Sequence, residues 1–275
     1  MSNDCIRLLL RAASIGGLTM VLAACVSTST STSTAAPPGP NSAAAPAEPA
    51  DPDRRARLRL ELAGLYLSRG QGTTALEEIK RALAAKPDMP EAYSLRGLIY
   101  DSLDQPVLAE ESFKRSLQLA PRDGDVMHNY GWFLCQRKRY VEADAIFEQT
   151  LLQPAYREAV RTRLAQGVCL ARAGSWAEAE RALQRSYELD PSNPVTGYNL
   201  GEVLLHRGEA ERARFYLGRI NAVREQTTAQ SLWLAARIEN RIGNIQARQD
   251  LGRQLQARFP DSPEAMRFER GGFDE

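Results

Sequence analysis

Histidine is almost missing from this chain of 275 residues: there are two, His128 and His206, beside four cysteines. Neither histidine has a cysteine or carboxylate at metal-ligand spacing, so no metal site is expected. A charge excess is missing too, with 35 Lys and Arg against 34 Asp and Glu. That balance argues against a basic surface able to neutralise many phosphates, and so against nucleic acid as a partner. No G-x-S-x-G, Walker, H-E-x-x-H or dinucleotide-binding pattern occurs. Without a catalytic constellation the chain reads as a non-enzyme, with no cofactor and no small-molecule substrate. Four cysteines are also too few for a disulfide-dense miniature. What is present, 43% hydrophobic and 25% charged residues, suits a globular protein with a sizeable core.

The first 24 residues read as an address. Arg7 and Arg11 form a short positive region, and Ala12 to Ala24 carry no charge. That run falls short of the roughly 20 apolar residues that span a bilayer, and it fits the core of a signal peptide. Leu22-Ala23-Ala24-Cys25 then resembles a bacterial lipobox, in which small residues fit the peptidase and Cys25 takes the lipid. In lipoproteins of this type an Asp after the cysteine favours the inner membrane, so Val26 implies the outer one. A multiply acylated Cys25 would hold firmly, each buried methylene contributing about 0.8 kcal/mol. Residues 25–52 follow as a tether: Ser/Thr alternation to Thr34, then Ala and Pro. With Val26 its only large aliphatic residue, this segment buries too little surface to offset ordering. Its root-mean-square span as a flexible chain is about 30 Å.

From Ala56 the sequence repeats itself with a period of 34. Starts fall at Ala56, Pro90, Gly124, Val160, Pro194 and Thr228, with a two-residue slip near Pro154-Ala155. Position 8 is always tiny (Ala63, Gly97, Gly131, Gly167, Gly201, Ala235), and position 20 is always Ala. Those are places where two helices of a unit must approach closely, and large residues at positions 7, 11 and 24 then fill the spaces between units. The expected fold is all-α: a right-handed superhelical solenoid of six tetratricopeptide helix–turn–helix repeats over 53–269. A capping helix runs from Pro263 to about Phe268 and a tail covers 270–275. Asn193-Pro194 and Ser262-Pro263-Glu264 read as helix starts.

In such a solenoid positions 2, 5, 9, 12 and 13 of each first helix face a concave wall. That places Leu60, Leu67, Ser94, Leu98, His128, Trp132, Tyr198, Glu202, Leu232, Ala236 and Glu239 there. A low-charge patch of Leu60, Leu65, Leu67 and Leu98 is the candidate partner-binding surface, since apolar anchors dominate such interfaces. Those leucines are equally consistent with core. Trp132 suits both packing and the groove. Glu77-Glu78 with Lys80, and Glu110-Glu111 with Lys114, read as solvated faces. Cys135 and Cys169 fall in the first helices of consecutive repeats. They are placed either to form a disulfide in an oxidising compartment or to sit as two buried thiols.

Certain runs go beyond what the repeat demands. They are Asn129-Tyr130-Gly131-Trp132-Phe133-Leu134-Cys135-Gln136, Gln153-Pro154-Ala155-Tyr156 at the slip, Gly167-Val168-Cys169, Ala213-Arg214-Phe215-Tyr216, and Ser231-Leu232-Trp233-Leu234-Ala235-Ala236-Arg237-Ile238-Glu239. In them the chain resembles the type IV pilus biogenesis/stability lipoproteins, the PilF/PilW pilotins. The resemblance implies an outer-membrane lipoprotein, on the periplasmic face, that escorts the pilus secretin and helps it multimerise. It carries Cys25 over as the lipid site and Cys135 with Cys169 as a disulfide pair. The rival reading is a periplasmic repeat scaffold that assists outer-membrane protein assembly or peptidoglycan synthesis.

Overall fold

The structure is a computed structural model that describes residues 51–273. The leader, Cys25 and the tether as far as residue 50 lie outside the described residues. So do Asp274 and Glu275 of the tail. Among the described residues there are thirteen helices and no strand. The first six pairs are α1 (Pro52–Ser68) with α2 (Gly72–Ala85), α3 (Pro90–Ser102) with α4 (Pro106–Leu119), α5 (Gly124–Gln136) with α6 (Tyr140–Leu151), α7 (Ala159–Arg172) with α8 (Trp176–Leu189), α9 (Pro194–His206) with α10 (Ala210–Asn221), and α11 (Ala229–Ile242) with α12 (Ile245–Arg258). A last helix, α13 (Pro263–Arg270), closes the stack.

Local chemistry sets the helix starts. The side chains of Asp51, Asp123, Asn193, Thr228 and Ser262 each accept a hydrogen bond from a backbone N–H of the first turn. This satisfies donors that have no partner inside the helix. Asp51 starts α1 at Pro52, so helix takes over one residue inside the expected tether and four before the repeat register begins. Within a pair, the chain turns through the left-handed region at Gly70, Gly174, Gly208 and Gly243. The second and third pairs make that turn with Asp104 (φ 53°) and Lys138 (φ 61°), where a β-carbon is crowded.

The interlock inside each pair follows the two tiny positions. A β-carbon added at Gly97 or Gly131 would lie 2.8 or 2.9 Å from the ring of Phe113 or Phe147. At Gly167 and Gly201 it would collide with Leu183 and Leu217. Position 8 is therefore the hole and position 24 the knob, and Phe113, Phe147, Leu183 and Leu217 are all fully buried. Burial of each such side chain contributes about 1.5–3 kcal/mol. Position 20 is sealed from solvent in the first five pairs, whereas Ala247 in the sixth is half-buried.

Curvature comes from which helices touch. Each first helix lies against the first helix of the next pair, from α1–α3 through α9–α11. No two second helices come within 8 Å between Cα atoms. The first helices thus form the inner wall and the second helices fan outward, as in other helical-repeat stacks.

Candidate partner-binding surface

At the N-terminal end, Leu60 and Leu67 are half-buried and rest on the small-residue core of the first pair. Leu98 is half-buried against the aromatic cluster of the next units. Leu65 is 54% exposed. At 3.6 residues per turn it stands about 140° around the helix from Leu60, on a stripe with exposed Leu58. The expected four-leucine patch is therefore divided: Leu60 and Leu67 share one face of α1, and Leu65 faces another way.

Further along, the wall is bridged from unit to unit by polar side chains. Asn129 donates to Ser94 Oγ at 3.2 Å, and Arg161 donates to Asn129 Oδ1 at 3.0 Å. Asp101 accepts from Gln136 at 3.4 Å and from Arg137. Trp132 is half-buried, with the Arg172 guanidinium 5.2 Å from its ring centre. Arg172 comes from the neighbouring unit, so this cation–π pair spans α5 and α7. His206 is exposed and stacks on Trp176, with ring centres 4.3 Å apart.

Cys135 and Cys169 are joined as a disulfide between α5 and α7, their Cα atoms 5.7 Å apart. Both are buried in the aromatic cluster with Phe113, Phe133 and Phe147.

His128 departs from the expected wall position: it is buried, not part of the groove. Its Nδ1 lies 2.8 Å from Thr162 Oγ1, and the Tyr156 hydroxyl lies 2.6 Å from the same atom. The cause is the two-residue slip. The extra length lets Tyr156 fold back over Gly124, where a β-carbon would meet its ring at 2.3 Å. Burial, aided by the Arg161 charge, pushes the His128 pKa down to about 4. Ser94 is likewise buried. Glu78 is no solvated carboxylate either; it is buried and paired with Arg59 and Arg81 at 2.8 Å each.

The sixth pair also differs from the expected wall. Leu232 packs with Leu255 and Ala265 under α13, and Ala236 is fully buried. Glu239 turns toward α10, accepting from Arg214 at 2.7 and 2.6 Å. What remains open here is a pair of clefts of about 390 and 230 Å³ between α9, α11, α13 and the tail. Arg237 lines both, and its Nε is buried without a hydrogen-bond partner. Arg237 stands at position 10, outside the groove positions, and so escapes a reading based on them. Among the described residues no three His, Cys, Asp or Glu side chains group as a metal site.

Comparison with known proteins bears on this wall. A family model described as tetratricopeptide repeat matches residues 60–124 and 136–194, and a second of the same description matches 170–237. The chain is 26% identical over 204 residues to the type IV pilus assembly protein PilF of Pseudomonas aeruginosa, covering 74% of this chain and 81% of that one. The crystal structure of PilW, a widely conserved type IV pilus biogenesis factor, superposes with a TM-score of 0.71 at 32% identity. That match covers 77% of this chain and 96% of PilW. The solved Pseudomonas aeruginosa PilF gives a TM-score of 0.68 at 24% identity, covering 80% and 99%, a likeness of fold.

Proposed function

The chain belongs to the tetratricopeptide-repeat proteins of type IV pilus biogenesis that include PilW and PilF, and on that premise we propose that it is the pilotin of the pilus secretin. In this reading Cys25 carries the lipid that holds the chain at the periplasmic face of the outer membrane. The tether supplies reach, and the inner wall of first helices holds a secretin segment while it is delivered and multimerises. The observation that carries the reading is the likeness to PilW, which runs through nearly the whole of that structure rather than a single repeat. The N-terminal leucines support it from the chemistry of interfaces. Leu60 and Leu67 lie half-buried on one face, with Gly64 between them leaving the backbone approachable.

The test is deletion of the gene, followed by unheated electrophoresis of membrane fractions probed for secretin multimers. Loss of multimers, or their shift to the inner membrane, with rescue by wild type and not by Cys25→Ala, is the expected result. Multimers unchanged in amount and place would end the reading and leave the rival scaffold role. Placement of the contact is tested separately. Leu60→Glu with Leu67→Glu is expected to abolish secretin binding while helix content is retained.

A further inference from the structure

We propose that the C-terminal end of the inner wall is a recognition cleft for an extended acidic peptide of a partner protein, in which an aromatic side chain neighbours carboxylates. Arg237 is its carboxylate anchor and Trp233 its aromatic platform. This site lies four units from the N-terminal leucines, so it stands or falls apart from the secretin reading.

Charge comes first. Arg237, Arg241 and Arg267 line the two clefts, and among the described residues none of them is ion-paired. The Nε of Arg237 is buried without a hydrogen-bond partner, as is that of Arg137. A carboxylate in the cleft therefore pairs with the part of the Arg237 guanidinium that the clefts leave open. Glu202 and Glu264 line only the larger cleft, so a ligand's own carboxylates are steered to the smaller one, lined by Arg237 and Arg241. The Tyr198 hydroxyl lines the same larger cleft as a donor, its pKa pushed up to about 12 by burial and by Glu202 against the opposing charge of Arg237.

The aromatic requirement is read from what already sits there. The Phe273 ring packs 5.2 Å from Trp233 and 5.4 Å from Phe268, with the Arg248 guanidinium 5.1 Å above it. Phe273 also lines the smaller cleft, next to Arg237. The next residues in sequence are Asp274 and Glu275. The chain thus lays against the rim of the same cleft an aromatic residue, Phe273, that two acidic residues follow in sequence. A partner segment of that composition competes with Phe273 for Trp233 and adds the carboxylate that Arg237 lacks.

The experiment is fluorescence anisotropy with the full chain in mild detergent. The probe is a fluorescein-labelled octapeptide with Phe-Asp-Glu at its centre, and the control carries Phe-Asn-Gln instead. Saturable binding of the acidic probe is expected, weaker by tenfold or more (about 1.4 kcal/mol) for the control peptide and for Arg237→Gln. Arg237→Lys should fall between. Phe273→Ser should tighten binding by about threefold or more, because it removes the internal competitor. Thermal melting of each variant is followed to verify that it is folded. Equal binding of the two peptides, or no saturable binding even to Phe273→Ser, would overturn the proposal. So would weaker binding to Phe273→Ser, since Phe273 would then be part of the site and not its competitor.

Discussion

In the first unit Ala63 faces Ile79, and half-buried leucines rest on a core of small side chains. In the third unit Tyr130 and Phe133 pack on Phe113 of the second, and at its junction with the fourth α5 is tied to α7 by a disulfide and by the Thr162 hydroxyl. Both regions follow the same 34-residue plan. In the first the period is unbroken, and side-chain size at positions 8 and 24 is enough to dock one helix on another. At the second the period slips by two residues, which would misalign the next unit. There, a covalent link and a hydrogen-bonded Tyr156–Thr162–His128 group hold the displaced unit in place. The disulfide and the Tyr156–Thr162–His128 group therefore fall where register is at risk.

The comparison breaks first at its aromatic knob. Phe147→Ala should destabilise the chain by about 3–5 kcal/mol, as expected for a buried aromatic removed from a packed core. A chemical denaturation midpoint would read the loss directly. Second, Cys135→Ser with Cys169→Ser should cost about 3–4 kcal/mol, on the chain-entropy account of a loop of this length. Hydrogen exchange should place the new opening at α5–α7 and leave α1–α3 unchanged; uniform loosening would dissolve the distinction between the two regions.

Third, the His128 group should make stability depend on pH. Its folded pKa is about 4 against an ordinary 6.5, so the folded state favours the neutral ring. Stability is then full above pH 6.5 and declines as pH falls toward 4. Between pH 6.5 and 5 the decline is about 1.5 kcal/mol. His128→Gln should flatten that slope, and a slope that persisted would have to arise elsewhere. Last, Lys138→Gly should stabilise the third unit by roughly 1 kcal/mol, since Lys138 turns with φ of 61° where the first unit uses Gly70. A melting temperature that failed to rise would show the left-handed turn to be unstrained there.

Much of this architecture was legible in the sequence because size at two positions recurs six times. The helical pairs, the knob-and-hole contacts and the starts at Asn193 and Ser262 follow from that recurrence and from capping chemistry. The slip was legible as a count of residues, but its effect was not. Nothing in the repeat says that Tyr156 folds over Gly124 and takes His128 out of the wall. The cleft around Arg237 was hidden for a related reason. It is made by α9, α11, the capping helix and the tail together, and the tail has no place in the repeat. Leu65 parts from Leu60 and Leu67 for a simpler reason, because composition groups leucines that helical phase separates.

The contact of first helices with one another, and the absence of such contact between second helices, makes the stack a coil spring. Pulled along its axis, such a coil lengthens by small rotations at each interface instead of by breaking any one of them. The Cys135–Cys169 link clamps one interface of that spring, between its third and fourth units. A load applied between the two ends would therefore be taken up by the interfaces on either side, while the clamped pair of units moved as a rigid block.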